Sequence, residues 1–115
     1  MSTYGAINLL DNNTAAGTFP AVEDAPFRFN GDYVLGFYGD FSAATVSFQF
    51  YTETPAGALV ALPVSADWTF TEAPGPERFT FTRYLPFRII VTGTAAGVGA
   101  NLHSLPDVAK NPGIR

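Results

Sequence analysis

Thr45-Val46-Ser47-Phe48-Gln49-Phe50-Tyr51 is the stretch that decides the fold. Val46, Phe48 and Phe50 recur at every second position with Ser47 and Gln49 between them, so an extended segment carries one apolar and one polar face. That period of two is the signature of a strand covering a core on one side, whereas a helix would scatter the same residues around its axis. The aromatic-in, hydroxyl-out order returns in Asp67-Trp68-Thr69-Phe70-Thr71 and in Arg78-Phe79-Thr80-Phe81-Thr82, where β-branched threonine suits the outer side of a pleated sheet. Trp68 shares parity with Phe70 and is assigned to the core.

Outward from these strands the pattern loosens but persists. Tyr33 to Tyr38 and Phe87 to Thr92 are apolar nearly throughout, as in strands covered on both faces or lying near the centre of a sheet. Gly5 to Leu10, Leu59 to Val64 and Val98 to Leu105 complete the set. Turn signals separate the runs: Asn30-Gly31, Pro55-Ala56-Gly57, Pro74-Gly75-Pro76 and Gly93 through Gly97, the last read as a hairpin with small side chains. The strongest helix candidate, Ala56 to Trp68, is interrupted by Pro63 and has no 3.6-residue period. Short strands with this punctuation predict an all-β, antiparallel β-sandwich or related small barrel.

A chain of 115 residues, 47% of them hydrophobic, suffices for one domain with one core. We read residues 1–106 as that domain, residues 11–25 as a loop or extended arm, and Asp107 to Arg115 as an aperiodic tail. Charged residues make up only 14% of the chain, against about 25% in an average soluble domain, so the exterior is largely neutral. Such a surface suits packing against other protein copies, because charge is depleted at interface centres.

Several function classes are excluded on charge and composition. The net charge is −4 and the six basic residues are scattered from Arg28 to Arg115, which argues against binding a nucleic-acid backbone. No apolar run approaches a membrane span, and Met1-Ser2-Thr3-Tyr4 lacks the layout of a signal peptide. The absence of cysteine removes disulfides and thiolate chemistry, and a single histidine, His103, builds no zinc site. His103 is next to Ser104 in sequence, but adjacent strand residues point to opposite faces, so no base–nucleophile pair forms. The carboxylates Asp32, Asp40, Glu53, Asp67, Glu72 and Glu77 mostly flank turns, and their spacing selects no glycosidase-like pair. The expectation is therefore a non-enzyme with no cofactor and no metal.

What remains is recognition. Tyr38, Tyr51 and Tyr84 offer rigid apolar bodies with polar tips, as interfaces and sugar platforms both use. Asn101 and His103 share one strand face, and Lys110, Ile114 and Arg115 lie in the tail. These eight residues are the candidate interface.

Between Gly31 and Pro106 the chain resembles small virion proteins of tailed bacteriophages. The resemblance rests on Gly31-Asp32-Tyr33-Val34-Leu35, Ala44-Thr45-Val46-Ser47-Phe48-Gln49-Phe50, Leu85-Pro86-Phe87-Arg88-Ile89-Ile90-Val91-Thr92-Gly93 and Gly99-Ala100-Asn101-Leu102. It implies a β-sandwich of jelly-roll or related topology, made in the bacterial host cytoplasm and carried on the capsid surface of the virion. It further implies a cement or decoration protein that self-associates, commonly as a homotrimer, and bridges major capsid protein subunits. The arm or the tail would reach a neighbouring subunit. The alternative is a carbohydrate-binding or receptor-binding β-sandwich module of a phage tail or fibre, with Tyr51 or Tyr84 as the sugar platform.

Overall fold

Alternating side chains become two packed antiparallel sheets in the computed structural model, which describes residues 6–75 and 77–104. The tail from Asp107, with Lys110, Ile114 and Arg115, lies outside the described residues. The strands are β1 (Ala6–Asn13), β2 (Gly17–Phe19), β3 (Gly31–Gly39), β4 (Thr45–Glu53), β5 (Leu59–Ala61), β6 (Thr69–Phe70), β7 (Arg78–Phe81), β8 (Phe87–Thr92) and β9 (Val98–Ser104). One sheet has the order β1-β9-β3-β7; the other has β2-β8-β4-β5, with β6 also pairing β4.

The pairing is nested. β1 meets β9, β2 meets β8, β3 meets β7, and β4 meets β5 and β6, every pair antiparallel. The first half of the chain therefore pairs with the second half in reverse order, like one long hairpin rolled up, and that is the jelly roll. β3 also pairs β9, and β4 pairs β8, which joins the rolled hairpin into two sheets.

The core is where the alternation placed it. Val46 and Phe48 from β4, Phe87, Ile89 and Val91 from β8, and Val98, Ala100 and Leu102 from β9 are essentially inaccessible. Phe87 is the aromatic hub, with ring centroids of Phe27, Phe48, Phe50 and Phe81 at 5.1–5.5 Å. Trp68 closes the open flank of the sandwich, half-buried against Phe48, Phe50, Phe79 and Phe81.

Four local expectations change. Residues 67–71 do not form one strand: Ala66–Trp68 is a 3-10 turn and only Thr69–Phe70 is extended. Its cause is hydroxyl chemistry around Ser65, which accepts from the Asp67 amide while Thr69 Oγ1 donates back to the Ser65 carbonyl. The strand expected over 59–64 ends at Ala61, ahead of Pro63. Gly93 to Gly97 is not a hairpin, because β8 and β9 belong to different sheets and the segment arches between them. It lies beside the Asp40–Ala44 arch from β3 to β4, where Asp40 N donates to Gly97 O, Ala96 N to Asp40 O and Ala43 N to Thr94 O.

The stretch 11–25, expected as a loop or arm, is instead folded onto its own sandwich. β1 runs on to Asn13, and Gly17–Phe19 is the edge strand beside β8. After Phe19, opposite Ile89, the chain leaves the sheet and returns at Phe27, opposite Phe87. Arg88 faces that gap, only 5% exposed. Its Nη1 donates to the carbonyls of Pro20 (3.3 Å), Ala21 (2.7 Å) and Asp24 (2.9 Å), and its Nη2 to that of Val22 (3.4 Å).

Candidate functional site

Three of the eight candidate residues meet on the outer face of the four-stranded sheet. The β3–β9 register sets Tyr38 opposite Gly99, Gly36 opposite Asn101 and Val34 opposite His103. Each large side chain thus has a glycine or a small neighbour across from it. A Cβ on Gly99 would fall inside van der Waals contact of three Tyr38 ring atoms at nearly equal distances, so the ring covers Gly99 face-on. Its other face is open, and Tyr38 is 41% exposed.

The ring is also anchored. The Tyr38 hydroxyl donates to Asp11 Oδ1 at 2.8 Å, and this bond to the carboxylate raises the phenol's pKa above its ordinary value, with desolvation and the Asp11 charge adding to it. Below the ordinary tyrosine pKa of about 10, folded and unfolded chains both keep the proton and the bond contributes fully; its contribution is lost as pH rises through the raised value. In an absorbance titration of the folded protein we expect one late-ionising tyrosine, abolished by Tyr38→Phe and moved toward the ordinary range by Asp11→Asn. A titration unchanged by Asp11→Asn would contradict the anchor.

Asn101 lies next along β9. Its Oδ1 sits 2.6 Å from where a Gly36 Cβ would stand and has no hydrogen-bond partner. Leaving a buried acceptor unpaired costs about 1–3 kcal/mol, an expense that core packing does not require. Asn8, exposed, is directly opposite Asn101 on β1, and His103, exposed, follows two residues later. Ser104 has the parity of the inward Leu102 and Ala100, so His103 and Ser104 diverge.

The other two described candidates are elsewhere. Tyr51 is half-buried on the opposite sheet, with the Arg88 guanidinium carbon 5.6 Å from its ring centre. Tyr84 is 69% exposed in the turn from β7 to β8, with Arg83 over its ring. Beside that turn, Phe50, Leu62, Pro63, Trp68, Phe81 and Leu85 line a cleft of about 230 Å³ between the sheet edges. Val60 and Val64, which flank Leu62-Pro63, and Leu85, which follows Tyr84, are exposed. Of the exposed large hydrophobics among the described residues, Leu85 lines the cleft itself, and Tyr84, Val60 and Val64 are within two residues of its lining in sequence. Sequence reading found only Tyr84 of these, because Val60, Leu62 and Val64 were absorbed into an expected strand; Pro63, which ends it, was the available signal.

Among the described residues no group of three or more His, Cys, Asp or Glu is arranged to hold a metal. Asp32 is occupied by Thr80, whose hydroxyl donates to it at 2.6 Å, and Glu53 pairs with Arg28 at 3.0 Å. The chain matches no family model, no curated protein and no solved structure.

Proposed function

We propose that this chain is a structural protein of a tailed-phage particle, a capsid cement or decoration protein that self-associates as a homotrimer and bridges major capsid protein subunits at the virion surface. The observation that carries this reading is the apolar cleft lined by Phe50, Leu62, Pro63, Trp68, Phe81 and the exposed Leu85, with the exposed Tyr84 next to Leu85 in the β7–β8 turn. Exposed apolar groups scattered singly need no explanation, but a contiguous patch on a small domain marks a contact with another protein. An interface has an apolar centre and a polar rim, and here the Arg28–Glu53 pair and Arg83 supply the rim, Arg28 Nη1 donating to the Arg83 carbonyl. The low charge content and the resemblance between Gly31 and Pro106 support the same reading. In a shell, many such modest contacts act together, and multivalency makes the sum firm.

The test is self-association of the full chain by sedimentation velocity, with mass spectrometry of purified particles for incorporation. Leu85→Asp combined with Tyr84→Asp should shift the oligomer to monomer by weakening association at least about tenfold, while the melting temperature barely moves because both sites are exposed. A wild-type chain that remains a monomer at all concentrations and is missing from particles would reject the reading.

A further inference from the structure

We propose that the outer face of the β1-β9-β3-β7 sheet is a binding site for a neutral oligosaccharide, with Tyr38 as the stacking platform and Asn8, Asn101 and His103 as its hydrogen-bonding partners. The site is separate from the apolar end assigned to assembly and does not depend on that assignment.

Three features lead to a sugar rather than another ligand. The first is the platform. Tyr38 lies face-down on Gly99 with its hydroxyl tied to Asp11, so its free face is held parallel to the sheet instead of swinging in solvent. A fixed, open aromatic face matches the C–H-rich face of a pyranose ring, and it is a rigid anchor with little side-chain entropy left to lose.

The second is the neighbouring chemistry. Outward positions on β9 repeat every second residue, about 6.6 Å apart, so Gly99 to His103 spans about 13 Å, the reach of a short oligosaccharide. Along that line stand two amides, Asn8 and Asn101, facing each other across β1 and β9, and then the imidazole of His103. Amides and imidazole offer both donors and acceptors without net charge, which is what vicinal hydroxyls need. Asn101 keeps its Oδ1 against Gly36 with no partner. A polar side chain that leaves a buried acceptor unpaired beside the Tyr38 platform is placed for a ligand rather than for the fold.

The third is shape and charge. Glycine at 99 and 36 lets the Tyr38 ring and the Asn101 amide lie down against the sheet, so they form a low surface between Tyr38 and His103 on which a ligand can rest. Among the described residues the cation on this face is Arg78, on the edge strand β7, where it pairs with Asp32, and a phosphate would find no unpaired cation among the described residues at the centre. Aliphatic groups that a second protein copy would bury are also scarce here: Val34 is half-buried, and the exposed valines and Leu85 are elsewhere.

The experiment is a broad glycan array probed with the full chain, followed by calorimetric titration of the responding oligosaccharides and amide chemical-shift mapping. We expect saturable binding with shifts at Gly36, Gly99, Asn101 and His103. Tyr38→Ala should weaken it at least about tenfold, and Tyr38→Phe, which keeps the ring, should retain most of it. Because Tyr38→Ala uncovers Gly99 and costs stability, Asn101→Ala and the exposed His103→Ala serve as second variants, each weakening binding, Asn101→Ala with a melting temperature no lower than that of the wild type, since its unpaired acceptor is gone, and His103→Ala with an unchanged one. Tyr84→Ala should leave binding intact. A silent array, binding that survives Tyr38→Ala and Asn101→Ala together, or shifts mapping to the Tyr84 end would overturn the site. So would an Asn101→Ala variant that changes sedimentation and not sugar binding, since the face would then belong to a second copy. A silent array, or binding that survives Tyr38→Ala and Asn101→Ala, leaves the Leu85 test of assembly untouched.

Discussion

Gly39→Ala is expected to cost about 3–5 kcal/mol of stability, a large part of the 5–15 kcal/mol that holds a domain of this size together. Gly39 sits at φ +86, and a methyl group there would overlap the backbone carbonyl oxygen of Gly97. The contact is reciprocal across the two arches: Gly93, at φ +82, would drive a methyl into the Ala43 carbonyl oxygen. Neither neighbour is a flexible side-chain end that can swing aside. Both carbonyls belong to the pair of arches that carry the chain from sheet to sheet, tied by the Asp40–Gly97, Ala96–Asp40 and Ala43–Thr94 hydrogen bonds. Relief would require separating the arches. Gly57→Ala is the control, since Gly57 has the same sign of φ, +90, but open space around its Cβ position. It should cost only the left-handed strain, about 1–2 kcal/mol. Urea unfolding of both variants separates the two terms, and equal losses at Gly39 and Gly57 would mean that the arches do not touch as described.

Those arches show what the amino-acid order reveals and what it hides. Alternation in Thr45 to Tyr51 announced a one-sided strand because each residue there reports its own solvent: Val46 and Phe48 are buried and Ser47 and Gln49 are half-exposed. Glycines 93 to 97 announced only that the chain turns. Whether a turn returns within a sheet or crosses to the other depends on which distant strand is the partner, here β3 for β9 and β4 for β8, and no local pattern encodes that choice. The recognition face is a similar case. Asn101 and His103 could be placed on one face by parity alone, but Tyr38 joins them only through the β3–β9 register, which sets Tyr38 against Gly99. Tyr51, read as exposed, is half-buried because Arg88 stands over its ring. The segment 11–25 reads as a loop or extended arm because it is rich in Asn, Thr, Ala, Gly and acids. Its attachment runs through backbone carbonyls, which every residue carries and no side chain advertises.

Arg88→Ala tests that attachment, and we expect it to cost about 3 kcal/mol. A guanidinium with little access to water must recover its lost hydration, and the Pro20, Ala21, Val22 and Asp24 carbonyls do so while its plane rests near the Tyr51 ring. Truncation removes the donors and leaves the carbonyls to find water by lifting the loop off the sheet. The loss should therefore be local as well as global. Amide protection should fall across residues 21–25, and limited proteolysis should cut there, where Val22 is already 70% exposed, before β4, β8 or β9 is attacked. Arg88→Lys should recover less than half, because one ammonium with three donors cannot spread over four carbonyls as a planar fork does. Unchanged protection over residues 21–25 in Arg88→Ala would refute the clamp. The consequence reaches function: among the described residues the loop covers the outer face of the β8–β4 sheet over Arg88, whereas Tyr38 and His103 on the other sheet are exposed. Releasing the clamp should uncover Tyr51 without altering sugar binding at Tyr38, whereas an effect there would mean that the two faces are coupled through the core.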